Sequence, residues 1–520
     1  MLCSLLELSD ELHLNIIREL LQHDDFLHQK SLQQDPNKES QDRDDEFHYH
    51  RDLMNWSCTS HYFRNLLAPC IFKSIKLRND EKSGASVDSL LKSPHGALVK
   101  ELYFLGTIPA DMANPDDDED FEALAEGFHT KSDKAEEEED KPITITLPLV
   151  VDTLLSDLHQ FPNLKSLSIG FTYPYEYPFN DYYDAEGIVD SENPEPARVW
   201  KALMTTTFET LLCRNPPQLR ALEIRKLVWT STEPYESQSF HKFLSHVECF
   251  SLSVRGGLSA RGGDNGAGWC VGTCDGYLEC VARFDDLFLD HLTSATSLTL
   301  KATEEGPIGL EGMHYARLAL KKGQMPLLKS LHLKYIFICR ELVDFVISHT
   351  DTLEQLTLHD CNSSVNGLQD NAGFYWNHFF DALYRADLKN SSHLEIRPHN
   401  APLYYRFSQE EADPENVQQI RRVLDEDAKR RVFGYATLSD KYGDCFVDED
   451  ENQAAFERGE DQVAFDRLMG NVNANAAKGG GESDWASQPG KLDDIMIPKR
   501  LHGCSDNQPF NVGNVEMLNL

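Results

Sequence analysis

Cys270, Cys274 and Cys280 lie close together, and a group of thiols like this is the first place to look for zinc or redox chemistry. A structural zinc site needs four tetrahedral donors, usually supplied as C-x-x-C pairs or as Cys pairs followed by His at finger spacing. The three cysteines form no C-x-x-C pair and no His follows at finger spacing, so no metal site is expected. His48 and His50 lie in a polar stretch and read as solvated surface residues. The glycine-rich segment from Gly256 to Gly276 lacks the G-x-x-x-x-G-K-[ST] order of a phosphate cradle. It also does not lead from a strand into a helix, as a G-x-G-x-x-G turn does, and it reads as a mobile loop. There is no G-x-S-x-G, H-E-x-x-H or kinase motif. Asp and Glu number 86, too many for any catalytic pair to stand out. The expectation is a protein with no catalytic set, no cofactor and no metal, and so not an enzyme.

The composition points the same way. The chain has 520 residues, enough for two or three domains or one long repeat array, and 40% of them are hydrophobic. The net charge of -37 is spread over several acidic runs. That argues against a nucleic-acid backbone, which needs clustered Lys and Arg, and against an anionic membrane surface. No window approaches a transmembrane span. The N-terminus lacks the basic flank and long apolar core of a signal peptide, because Glu7, Asp10 and Glu11 come too early. Twelve cysteines are scattered through apolar segments, as in a reducing compartment, which makes the expected location cytoplasmic or nuclear.

A repeated unit then becomes visible. Leu164-x-x-Leu167-x-Ile169, Leu219-x-x-Leu222-x-Ile224 and Val247-x-x-Phe250-x-Leu252 begin the series. Ala295-x-x-Leu298-x-Leu300, Leu328-x-x-Leu331-x-Leu333, Leu353-x-x-Leu356-x-Leu358 and Ser391-x-x-Leu394-x-Ile396 continue it, and Val99-x-x-Leu102-x-Phe104 has the same form upstream. In each, the last two apolar residues alternate as in a short strand and the first anchors the turn leading in. Helical spacing precedes the strands over Val151–Phe161, Val199–Cys213, Phe240–Leu244, Phe284–Leu292, Met313–Leu320, Leu342–Ser348 and Asn377–Leu383. This alternation predicts an α/β fold: a solenoid of helices and short parallel strands in which each unit buries its apolar side on its neighbours. The motifs are unevenly spaced, from 25 residues (Leu328 to Leu353) to 55 (Leu164 to Leu219). An α/β domain of another kind is the alternative.

The N-terminal stretch is of another type. Ser9 caps an amphipathic helix whose stripe is Leu12, Ile16, Ile17, Leu20 and Leu21. Leu53 and Trp56 share a second face. Thr59 or Ser60 restarts the helix, Phe63, Leu66 and Leu67 follow, and Pro69 is expected to stop it. Helices this short cannot bury so much apolar surface among themselves, so a partner surface is required.

Leu8-Ser9-Asp10-Glu11-Leu12 with Ile16 and Leu20, followed by Asp52-Leu53, Cys58, Phe63-Arg64, Leu66 and Ile71-Phe72, resembles an F-box. The family usually has Pro where Ser9 stands, and the polar connection from Gln22 to Arg51 is longer than usual. The repeat region is similar to the irregular leucine-rich-repeat class of F-box proteins, of the fungal type. The resemblance implies a substrate-recognition subunit of an SCF-type cullin–RING ubiquitin ligase. The F-box would dock on a Skp-type adaptor joined to the cullin scaffold, and the repeats would hold an unidentified substrate protein. The implied adaptor-binding residues are Leu8, Glu11, Leu12, Ile16, Leu20, Leu53, Trp56, Phe63 and Leu66. The alternative is a leucine-rich-repeat scaffold unconnected with ubiquitin, its N-terminal helices serving only as a cap.

The expected domains are 1–75 for the F-box with its polar insertion 22–51, 76–410 for the repeats with an acidic loop over 110–141, and 411–520 for the remainder. Phe171–Tyr183 is dense in Tyr, Phe and Pro and reads as an aromatic loop that either anchors a protein ligand or plugs the repeat surface. In the remainder, Asn416–Val432 reads as a charged helix, Gln453–Met469 as another and Asn471–Gly481 as a linker. The residues from Glu482 to Leu520 read as a largely flexible acidic tail, or as a segment that folds back to cover the open end of the repeats.

Overall fold

The computed structural model describes residues 51–107, 145–172, 195–214, 216, 219–227, 232–254, 281–302, 307–310, 317–365, 374–403, 413–438 and 445–478. Within these the chain divides into two compact units, 51–76 with 90–100 and 77–89 with 101–478. The first expected helix, the acidic loop, Tyr173–Tyr183, the glycine-rich segment with Cys270, Cys274 and Cys280, and the tail beyond Lys478 lie outside the described residues.

In the first unit, α1 (Arg51–Ser57) and α2 (His61–Ile71) pack as a helical pair. Ser60 caps α2, its Oγ accepting from the Phe63 amide at 3.2 Å, which is the restart the sequence predicted. Pro69 does not stop α2, and the helix continues to Ile71. A proline so near the end removes only one intrahelical donor, and the Phe72 amide still reaches the Ala68 carbonyl at 3.0 Å. A 3₁₀ turn over Pro94–Leu98 follows, and its His95 ring stacks on Phe72 at 4.6 Å.

The second unit is built on a parallel sheet in sequential order. The strands are β1 (Ser74–Arg78) at the edge, then β2 (Glu101–Thr107), β3 (Ser166–Thr172), β4 (Ala221–Leu227), β5 (Cys249–Val254), β6 (Ser297–Lys301), β7 (Ser330–Lys334), β8 (Gln355–His359) and β9 (His393–Arg397). Each L-x-x-L-x-L motif contributes one strand, and all are in a single register. Leu102, Leu167, Leu222, Phe250, Leu298, Leu331, Leu356 and Leu394 pair along one row. Phe104, Ile169, Ile224, Leu252, Leu300, Leu333, Leu358 and Ile396 pair along the next. These sixteen positions are buried, so one face of the sheet is core and the alternating positions form the other face.

The connecting helices appear where the 3/4 spacing placed them, with shifted ends. They are α3 (Glu81–Leu91), α4 (Leu149–Ser156), α5 (Glu195–Cys213), α6 (Glu233–Glu236), α7 (Gln238–Leu244), α8 (Phe284–Leu287), α9 (Arg340–Ile347) and α10 (Trp376–Ala386), of which the four-residue α6 answers to no stretch read from the sequence. Residues 317–320 of the expected Met313–Leu320 helix are not helical. Leu318, Ala319 and Leu320 are all buried, so no amphipathic face exists there, and a turn from Lys321 to Gln324 follows at once.

Beyond β9 the chain is more ordered than its composition indicated. α11 (Glu415–Glu426) ends six residues before Val432, because Arg431–Ala436 run through the interior. A two-stranded antiparallel ribbon, β10 (Ala436–Leu438) with β11 (Cys445–Val447), follows. α12 (Glu449–Arg458) and α13 (Glu460–Lys478) are separated by Gly459, whose φ of +68° suits glycine. α13 continues through most of the stretch expected to be a linker, since Leu468 and Val472 are buried and Asn475 Nδ2 donates to the Leu388 carbonyl at 2.8 Å.

Gly106 gives a direct test of this packing. A Cβ there would lie 2.5 Å from Phe171 Cδ1, the ring of the residue it pairs with across β2 and β3. Gly106→Ala should destabilise the second unit by about 1–3 kcal/mol in urea, and adding Phe171→Leu should recover most of the loss.

Candidate interaction surfaces

On the helical pair, Phe63, Leu67 and Ile71 form the buried cluster, with Met54, Trp56, Leu66, Cys70 and Phe72 packed around it. The Trp56 ring lies 4.7 Å from Phe63, and Tyr62, 38% exposed, flanks Phe63 at 5.3 Å. Three of the sequence-predicted partner residues, Trp56, Phe63 and Leu66, are therefore brought together. Phe63 is only 3% exposed and belongs to the pair's own core, while Trp56 and Leu66 are half-buried. Leu53 lies on α1. Leu8, Glu11, Leu12, Ile16 and Leu20 lie outside the described residues.

A second surface, the polar face of the sheet, was not singled out in the sequence. Its signal was present all the same, as the residue following five of the eight motifs: Arg225, Lys301, Lys334, His359 and Arg397. In register, Ser253, Lys301, Lys334, His359 and Arg397 make one continuous row across β5 to β9. The neighbouring row is Ser251, Thr299, His332, Thr357 and Glu395. A ridge of cations is unexpected on a chain of net charge -37.

Each outer part of this ridge has its own acid. Arg225 Nε meets Glu223 Oε2 at 2.7 Å, with its guanidinium 4.9 Å over the Tyr103 ring. Arg397 Nε meets Glu395 Oε1 at 2.6 Å, and His359 Nε2 lies 3.2 Å from Asp360 Oδ2. Lys334 Nζ is 3.9 Å from the same Asp360 oxygen and 4.8 Å from the Tyr335 ring centroid. The residues that follow Arg225, Lys334 and His359 share a feature. Lys226, Tyr335 and Asp360 are left-handed, with φ of +47°, +55° and +49°, and none is glycine. Each bears a conformational cost of order 1 kcal/mol at the carboxyl ends of the strands.

His332 sits inside the ridge. Its Nε2 is buried and has no hydrogen-bond partner, and its ring lies parallel to that of His359 at 6.4 Å. Burial, reinforced by the positive charges of Lys301, His359, Arg397 and Lys334, holds its pKa down at about 4. A histidine whose folded pKa lies below its unfolded value binds fewer protons when folded. Stability should therefore fall as pH drops from about 6.5 to about 4, by roughly 2–3 kcal/mol from this group, and level off below. His332→Gln should flatten that slope in urea titrations taken across the window.

The thiols offer no nucleophile in the core. Burial pushes the Cys361 thiol up to about 12 and raises that of Cys339 as well, far from the thiolate a reactive cysteine needs. Among the described residues no group of His, Cys, Asp and Glu is arranged to hold a metal ion. No helix among them is long and apolar enough to cross a membrane. No protein-family model, no curated protein and no solved structure matches the chain.

Proposed function

We propose that this chain is a substrate-recognition subunit of an SCF-type cullin–RING ubiquitin ligase. On this reading its N-terminal helices form an F-box that docks on a Skp-type adaptor, and its repeat sheet, of leucine-rich-repeat type, holds the substrate protein. The observation that carries it is the combination of two elements in one chain. One is a short Ser60-capped helical pair with half-buried Trp56 and Leu66. The other is a series of eight motif-borne strands, β2 to β9, paired in sequence order with a polar face along one side. Helices with apolar side chains at 3/4 spacing suit helix-in-groove recognition, in which area and not charge supplies affinity. Ubiquitin transfer then needs no reacting group here, since the receptor acts by holding its substrate close to the chemistry.

One detail favours the scaffold alternative. Phe63 is enclosed in the helical pair's own core, as it would be in a helical cap. The two readings part on a simple measurement. The full-length chain mixed with a purified Skp-type adaptor should elute with it as a 1:1 complex in gel filtration; separate elution at micromolar concentrations would remove the ligase reading and leave the scaffold.

A further inference from the structure

The helix layer carries another pair of histidines, and these are in contact. α7 leads into β5, and a 3₁₀ turn over Leu289–His291 leads into β6, so His241 and His291 belong to neighbouring repeats. Their rings are stacked, with centroids 3.5 Å apart and planes 11° from parallel. Each ring is tied by its Nε2 to a backbone carbonyl, His241 to that of Tyr235 at 2.9 Å and His291 to that of Asp286 at 2.7 Å. A carbonyl only accepts, so each Nε2 carries a proton and each neutral ring keeps its lone pair on Nδ1. The layer beneath is fixed. Phe240 and Phe288 are buried with their rings 6.0 Å apart, and the buried Tyr235 ring lies 5.5 Å from the first and 5.3 Å from the second. The stack therefore cannot widen without a ring leaving its carbonyl. The charged groups around it have partners of their own. Arg283 Nη2 lies 2.8 Å from Glu236 Oε1 of α6 and 3.5 Å from Asp286 Oδ2 of α8. Asp285 pairs with Lys321, Asp290 Oδ1 accepts from Gln324 Nε2 at 2.6 Å, and Lys242 follows His241 on α7. Burial and the charge of His291 hold the His241 pKa below its ordinary value, and the Tyr235 carbonyl, Asp286 and Glu236 oppose them only in part.

We propose that the His241–His291 stack is an acid-sensitive joint between two repeats, closed at neutral pH and opened by double protonation. A single imidazolium lies favourably on a neutral aromatic face, whereas two of them stacked 3.5 Å apart repel. In the open joint both rings reach water and each takes up a proton at the ordinary histidine value of about 6.5. The closed joint binds one proton fewer than the open one, so closure weakens about tenfold for each pH unit below that value. The pairs Phe250 with Leu298 and Leu252 with Leu300 join β5 to β6, are apolar and stay in place. Opening thus frees the helical layer of one repeat from that of the next while the sheet holds. The stiffness of the array at this junction becomes a function of pH between about 7 and 5. The inference stands apart from the proposed function, since it concerns the array whatever the array holds.

The test is hydrogen exchange on the full chain at pH 7 and pH 5, corrected for intrinsic exchange rates. It is run in a His332→Gln background, so that the buried histidine of β7 does not contribute to the acid response. The reporters are the amides of Ser245 and Leu292, bonded to the His241 and Leu289 carbonyls at 3.1 and 3.3 Å. Their protection should fall about tenfold or more between the two pH values, while that of β2 and β3, which contain no histidine, stays constant. His291→Phe keeps an aromatic face against His241 and leaves a single charge, so it should abolish the fall. His241→Phe should do the same from the other side of the stack, and it serves as the readout should the first variant fold poorly. Equal protection at the two pH values overturns the proposal, as does a loss in the phenylalanine variants as large as in the parent. A loss shared equally by β2 and β3 overturns it too, because acid would then be acting on the whole sheet and not on this joint.

Discussion

Replacing Leu12 and Ile16 together by Asp is expected to abolish co-purification of the full-length chain with a Skp-type adaptor, weakening the complex by at least a hundredfold. Both residues belong to the one apolar stripe that the sequence places on the first helix, with Leu20 a turn further on. A carboxylate brought into a desolvated apolar contact loses its hydration with no cation to replace it, and hot-spot truncations alone remove 2 kcal/mol or more. Two such changes on one stripe therefore account for a hundredfold and more. The second unit should be untouched, its melting temperature and far-ultraviolet dichroism matching the parent, because its core is supplied by residues from Leu77 onward. An adaptor complex that survives both substitutions would mean that this stripe faces the chain's own body, and the scaffold reading would take its place. Trp56→Ala is a poorer probe. Its ring packs 4.7 Å from buried Phe63, so truncating it loosens the helical pair as well as any contact surface.

The parts of this molecule legible in its sequence are those fixed by period alone. L-x-x-L-x-L sets two inward positions per strand, and a slip of one residue would turn every leucine out to solvent, so the register follows from the pattern. The helices of α4, α5, α7, α9 and α10, read from 3/4 spacing, follow for the same reason. Pro69, residues 317–320 and Asn471–Lys478 depart from the pattern, the last two where tertiary contacts outweigh local preference. Pro69 is tolerated because it falls in a last turn. Leu318–Leu320 are buried on every side. The Asn- and Ala-rich end of α13 is helical because Val472 and Asn475 find partners outside their own helix. The cation ridge was harder to see for another reason. Its paired members stand 25 to 38 residues apart in sequence, as Lys334 to His359 and His359 to Arg397 do, and only the common register makes them neighbours. Once the strands are aligned, the residue after five of the eight motifs is the signal, and its basic character departs from the charge of the chain as a whole.

The largest effect on stability is expected at Trp376, where three parts of the C-terminal region meet. Its side chain is fully buried, stacked on Phe380 at 5.4 Å and tilted against Phe433 at 5.6 Å. The indole Nε1 donates to the Gly434 carbonyl at 2.8 Å, and the Trp376 amide donates to Tyr435 Oη at 3.3 Å. That hydroxyl donates in turn to Asp461 Oδ2 at 2.8 Å, and Asp461 Oδ1 accepts from the Asn377 amide at 2.8 Å. One carboxylate thus ties the start of α13 to the start of α10 and to the buried run before β10. Burial raises the pKa of Asp461 and of Tyr435, so each depends on the other for its hydrogen bond. Trp376→Ala should cost about 3–5 kcal/mol for the lost volume, and it leaves the Gly434 carbonyl with the Ser363 amide as its remaining donor. Trp376→Phe keeps much of the volume and loses one hydrogen bond, which limits its cost to about 1–2 kcal/mol. Hydrogen exchange separates the two cases better than a melting curve, since a chain of this size does not unfold in one step. Amides of α13 should lose about a hundredfold or more of their protection in Trp376→Ala and about tenfold in Trp376→Phe, while those of β3 to β6 stay as they were. Uniform loss across the sheet would instead mean that the C-terminal helices and the strands open as one cooperative body, with Trp376 supporting the whole second unit.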